Sequence, residues 1–338
     1  LANYVSDPNV NSISWEFIMP STFNIAINPI TSVAYLEYQS GWRGSSMIHF
    51  NGTNPLGESS RDSARFSVGK ILNDSVSCNM ILSKNESPYI VESTINIPVG
   101  CNMIIDPGVQ VILKDDSDII VKGKLVVNGD YNNMVHLFPQ DNKWGGILLD
   151  SAAEKSIFNF VLFEGGSYGQ DSAKTNAVLT GYYSDFNVEN SSFKNNLRCI
   201  YANHGNVYIN NSTFYETNFG EKINLQFANA ITENSVFYYT HGDNDAIDYD
   251  GVDTGVIRNN ILYGGDDDGL DIGQINNIAC QDVILSNNTI SGFLDKGISI
   301  GEGSQNINIL YNVITDSKMG IAVKDSSTAL IDHNTIYG

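Results

Sequence analysis

Nine aspartates crowd into residues 243–271: Asp243, Asp245, Asp248, Asp250, Asp253, Asp266, Asp267, Asp268 and Asp271. An even spread of the 38 acidic residues over 338 positions would put about three there, and Arg258 is the only fixed positive charge in the stretch. Carboxylates at that density repel one another and stay ionised together only with a cation among them. Oxygen-only ligands suit Ca²⁺, which takes six to eight of them in loose geometry, whereas zinc prefers His or Cys. The nearest histidine is His241, alone. The expected metal ligands from this reading are Asp245, Asp248, Asp268 and Asp271. Turn preference accounts more plainly for Asp243, Asp250, Asp253 and Asp266, because Asp accepts backbone hydrogen bonds at corners.

Repeats are what would bring these residues together. A phrase of the form x-Gly/Ala-Ile/Leu-x-aliphatic/aromatic begins at Asp245, Asp268, Lys296 and Met319, in steps of 23, 28 and 23 residues. Weaker copies begin at Arg198 and Lys222. A second phrase interleaves with it, starting at Asn190, Asn211, Asn234, Asn259, Asn287, Asn312 and Asn334. Short alternating apolar runs broken by Asn, Gly, Asp and Ser read as strands and corners, with little helical period. A unit of this length with three short strands is one coil of a parallel β-helix, each strand pairing with its equivalents one coil away. Residues one repeat apart then stack, so Asp245 neighbours Asp268 and Asp248 neighbours Asp271. Period-two alternation turns Ile247, Tyr249, Leu270 and Ile272 inward and leaves Asp248, Asp250 and Asp271 outside. The Asn column suits tight corners, because Asn tolerates the left-handed conformation and its amide can bond to the next amide in the stack.

The segments Ile97-Pro-Val-Gly-Cys-Asn-Met-Ile-Ile-Asp-Pro-Gly, Ile120-Val-Lys-Gly-Lys-Leu-Val-Val-Asn-Gly and Trp144-Gly-Gly-Ile resemble the entry coils of secreted right-handed parallel β-helix proteins of the pectate-lyase-like superfamily. The expected fold is all-β: a right-handed parallel β-helix of about 10–11 coils over residues 76–338, ending inside a repeat. Residues 1–75 lack the repeat and read as a short all-β segment, a cap over the open strand edge or the remnant of a preceding domain.

The site pattern resembles that of family 9 pectate lyases, in which an Asp on one coil and Asp-Asp-x-x-Asp on the next hold an essential Ca²⁺ and a downstream Lys is the base. That resemblance implies Asp245 as the first element, Asp267-Asp268-Gly-Leu-Asp271 as the second, and Lys296 as the base for β-elimination from a uronate. Calcium would acidify the α-proton and favour the neutral amine. The bland account of Lys296 is a salt bridge to Asp268 or Asp295. Arg258 is the only local candidate to grip a substrate carboxylate. Polygalacturonase-like hydrolases resemble the chain less, since an Asp-Asp pair is present but their later Gly-His-Gly and Arg-x-Lys elements are not.

The net charge of −20 disfavours nucleic acid, whose phosphates bind Lys and Arg. Charged residues make up 17%, too few for an acidic disordered tail. No apolar run is long enough for a membrane-spanning helix. Four scattered cysteines, Cys78, Cys101, Cys199 and Cys280, make no metal knuckle, and Cys78 and Cys101 are read as paired in an oxidising compartment or as buried thiols. The functional expectation is an extracellular or cell-surface Ca²⁺-binding protein that binds an acidic polysaccharide or cell-surface glycan and, if catalytic, cleaves it by β-elimination. The alternative is a non-catalytic surface, adhesive or filament-forming protein that self-associates, with the β-helix as scaffold.

Overall fold

The computed structural model describes residues 13–28, 31, 33–72, 77–169, 177–215 and 220–338. The chain forms two units that divide between Lys70 and Ile71. Residues 73–76, where the sequence places the boundary, lie outside the described residues, but strand Lys70–Leu72 already belongs to the larger unit's 12-stranded sheet. No helix among the described residues is long and apolar enough to cross a membrane.

The smaller unit is antiparallel. Strands Ser14–Ile18, Gly44–Thr53 and Ser59–Val68 form one sheet, and Phe23–Ile27 pairs with Ala34–Tyr38 in a separate hairpin. Phe23, Ile48 and Phe50 are its buried core, packed by Trp15, Phe17, Trp42 and Phe66.

The larger unit is a parallel β-solenoid of about ten turns. Coils pass through three parallel ladders, mostly as three short strands, although Ile200–Asn210 and Ile223–Glu233 are single strands of 11 residues that run through the first two, and one aliphatic residue per coil sets the register of the first: Ile200, Ile223, Ile247, Leu270, Ile298 and Ile321. These side chains point inward, and the first five are buried. The third ladder stacks Phe163, Phe193, Phe214 and Phe237 at centroid spacings of 4.6, 4.8 and 4.6 Å. Offset flat stacking of this kind adds to the burial of each ring. Aliphatic residues continue the same column at Leu262, Ile290, Ile314 and Ile336.

The recurrent Asn phrase proves to be two columns. Asn190, Asn211, Asn234, Asn259 and Asn287 hold the corner with φ of 47–57°, a conformation taken in the next coils by Tyr311 and His333. Asn312 and Asn334 belong instead to the adjacent inward column with Asn260 and Asn288, where each amide donates to the next amide oxygen at 3.0–3.1 Å. The same Nδ2 atoms of Asn260, Asn288 and Asn312 also donate to the buried carbonyls of Thr232, Ile257 and Leu285. Ser191, Ser212 and Ser235 fill that column in earlier coils. Reading by residue type merged a corner-forming job with a buried hydrogen-bonding one.

Cys78 and Cys101 are joined in a disulfide, while Cys199 and Cys280 are buried free thiols.

Candidate cation site

The aspartates gather where the third ladder turns back into the first. Strand Ile261–Gly265 ends there, Asp267 and Asp268 occupy the turn, and strand Leu270–Ile275 begins beside Ile247–Asp250. Ile247, Tyr249, Leu270 and Ile272 are fully buried, which leaves Asp248, Asp250 and Asp271 on the outer face. Asp248 and Asp271 are register partners, between Asn224 one coil before and Ser299 one coil after.

A second column runs two residues ahead of the ladder's aliphatic positions: Arg198, Glu221, Asp245, Asp268, Lys296 and Met319. Three carboxylates therefore lie between two cations. Glu221 does not stand out in the sequence, because the weak repeat copy there reads as beginning at Lys222 while the register begins it at Glu221. The in-register aliphatics Ile200, Ile223 and Ile247 would have corrected it. Lys222 is instead fully buried, its amine donating to the Tyr239 carbonyl at 2.8 Å.

Two triads of carboxylate oxygens result, Asp245 with Asp267 and Asp268, and Asp245 with Asp248 and Asp271. In each, all three oxygens lie within 4.8 Å of one another. Oxygens held at about 2.4 Å on opposite sides of a calcium ion are about 4.8 Å apart, so either triad fits such an ion. Asp245 also accepts the backbone N–H of Asp268 at 3.0 Å, which fixes one of its oxygens across the coil step.

The cluster is electrostatically uncomfortable by itself. Burial, followed by the charges of Asp271, Asp267 and Asp268, pushes the Asp245 carboxyl up to about 9. Burial, then Asp250, Asp245 and Asp271, raises Asp248 well above the usual range. Asp250 is pushed to about 7 by burial, Asp271, Glu302 and Glu221, and Asp267 to about 6 by burial and Asp268, against the pull of Lys296. Burial raises Asp271 as well. The nearby Ser299 hydroxyl, short of a well-formed hydrogen bond, opposes this, as do the charges of Lys324 and Lys296. Asp266 turns away, accepting from the Tyr239 hydroxyl at 2.6 Å and the Gly242 N–H at 2.7 Å. These bonds hold its carboxyl below the usual range.

Lys296 stands against the cluster. Its ammonium donates to both oxygens of Asp268 at 3.1 Å and to Asp295, and its backbone N–H donates to Asp268 at 2.8 Å. Burial works against the charged amine, but the bonds to Asp295 and Asp268 outweigh it and raise the pKa. In this arrangement Lys296 holds its proton, so it is not poised as a neutral base. Arg258 is not brought to the cluster. The turn after Asp250 carries it onto the second sheet, where its Nε donates to Glu233 at 2.5 Å and Tyr208 donates to the same carboxylate at 2.8 Å.

Residues 173–336 match a family model described as the right handed beta helix region. Over those residues the parallel solenoid is accordingly a right-handed β-helix. No curated protein sequence matches the chain. Among solved structures it is similar to a double mutant of the periplasmic alginate epimerase AlgG, at 12% identity over 81% of this chain and 85% of that one, with a TM-score of 0.47. It is also similar to a family 28 exopolygalacturonase from Yersinia enterocolitica, at 12% identity over 90% and 73%, with a TM-score of 0.38. For the A-module of a mannuronan C-5 epimerase from Azotobacter vinelandii the values are 16% identity, 74% and 84%, and a TM-score of 0.30.

Proposed function

We propose that the chain is an extracellular Ca²⁺-binding β-helix protein that binds an acidic polysaccharide through the ion. The observation that carries this reading is the pair of carboxylate triads sharing Asp245 on adjacent coils. A chain of net charge −20 repels a polyuronate, and a dication shared between protein and glycan carboxylates removes that repulsion. The Cys78–Cys101 disulfide supports an oxidising compartment.

For elimination, calcium would supply neutralisation of the substrate carboxylate and so acidify its α-proton. The chain's own part would fall to Lys296, which must first release a proton and leave Asp268. That requirement favours a second reading, a non-catalytic surface or adhesive protein whose ion-bound glycan is held and not cut. Incubation with polygalacturonate and with alginate in Ca²⁺ and in EDTA separates the outcomes. Ca²⁺-dependent retention on the glycan is expected. A rise in unsaturated-uronate absorbance that disappears in Lys296→Ala selects the lyase, retention without product selects the adhesive protein, and no retention in Ca²⁺ on either glycan overturns polysaccharide binding.

A further inference from the structure

The two triads differ in how far the protein already meets their charge. Lys296 neutralises Asp268, and Arg198 approaches Glu221 at 3.6 Å on the other side. Asp245 stands between these pairs, and among the described residues no Lys, Arg or His forms an ion pair with Asp245, Asp248 or Asp271, although Lys324 and Lys296 act on Asp271 from beyond contact distance.

A separate observation points to the same place. Ser299 is 0% exposed, and its Oγ, like the buried Oδ1 of Asn224, has no hydrogen-bond partner. Both are register neighbours of the Asp248–Asp271 pair, one at each end. Buried oxygens left unpartnered are rare, and a bound water or ion is one of the groups that satisfies them. The Nδ2 of Asn224 meanwhile donates to Asp248 at 2.5 Å, which orients that carboxylate.

We propose that a single divalent cation, calcium by its oxygen-only setting, is held by Asp245, Asp248 and Asp271, that Asn224 and Ser299 complete the site through water in the ion's shell, and that Lys296 is a built-in counter-ion excluding the Asp267–Asp268 side. The proposal rests on the cation reading given above and narrows it. It departs from the ligand set implied by the family 9 pattern, which runs through Asp267 and Asp268. Water is needed at the ends because one coil step is about 4.8 Å, more than a seryl side chain can span to an ion between the neighbouring pair. Outer partners of this kind commonly set metal affinity by orienting the direct ligands.

The test is calorimetric titration of the full chain with CaCl₂, with circular dichroism to confirm that each variant folds. The wild-type protein is expected to bind one ion. Asp248→Asn and Asp271→Asn should each weaken binding about a hundredfold, because they remove ligand charge. Ser299→Ala and Asn224→Ala should each weaken it about tenfold, while Asp267→Asn stays within about threefold. Lys296→Met should open the second triad and raise the stoichiometry to two ions. A loss in Asp267→Asn equal to that in Asp248→Asn, or Ser299→Ala and Asn224→Ala both binding like the wild type, overturns the assignment and leaves the cation reading intact. Lys296→Met still binding one ion at wild-type affinity overturns the counter-ion role. Absence of calcium binding by the wild-type protein overturns the assignment and the cation reading together.

Discussion

Asp245 is the residue whose ionisation the fold resists and a cation would reward. Its carboxyl is raised from an ordinary 3.8 to about 9, so between those values the folded state binds more protons than the unfolded one. Stability must then fall as pH rises through that window. In EDTA, thermal midpoints measured from pH 5 to 9 should decline steadily, and saturating Ca²⁺ should flatten the decline. A midpoint that rises with pH in EDTA would mean that the carboxylates are better compensated than their geometry indicates. Calcium bound as proposed would displace these protons, so titrations at pH 7 in two buffers of different ionisation enthalpy should reveal net proton release on binding. Much of this cluster was legible in the sequence, because Asp245, Asp248, Asp268 and Asp271 recur at the repeat spacing. Glu221, Asn224 and Ser299 were not, since nothing in their residue types sets them apart. Only the strand register places them beside the aspartates. Arg258 misled for the opposite reason: it is close in sequence to the aspartates, but a corner separates it from them.

At the scale of the element, the inward amide column makes the sharpest prediction. Asn288 donates to the Ile257 carbonyl at 2.9 Å and accepts from the Asn260 backbone N–H at 3.0 Å, all buried. Asn288→Ala strands both groups and should cost about 2–4 kcal/mol in chemical denaturation. In the aromatic stack, Phe214→Ala opens a cavity between two rings and should cost about 3–5 kcal/mol. A loss below about 1 kcal/mol in either variant would show that coils close up around the missing group more readily than packed cores usually do. The strands were easy to foresee, because inward aliphatic positions recur coil after coil. The inward amides were harder, because an Asn that forms a corner and an Asn that satisfies buried carbonyls are the same letter one position apart. Only φ and burial distinguish Asn259 from Asn260.

For the whole molecule, a formal charge of −20 is a standing self-repulsion, and part of it is stacked on successive coils. Raising NaCl from low to physiological concentration should increase the thermal midpoint of the EDTA-treated protein by screening that repulsion. At matched ionic strength Ca²⁺ should raise it further than Mg²⁺, which demands tighter octahedral geometry than these splayed carboxylates offer. Equal effects of the two ions would reduce the cluster to a screened patch.

The outer position of the first ladder reads Thr180, Tyr201, Asn224, Asp248, Asp271, Ser299 and Ala322 along the stack. The backbone presents each of these side chains in the same way, so the ladder behaves as a row of interchangeable sockets. Duplicating the coil that spans residues 266–293 would insert one more socket bearing an aspartate without altering the path of its neighbours. What a coil would add to ion binding is set by the residue its socket carries, while the backbone that presents it can be lengthened one turn at a time.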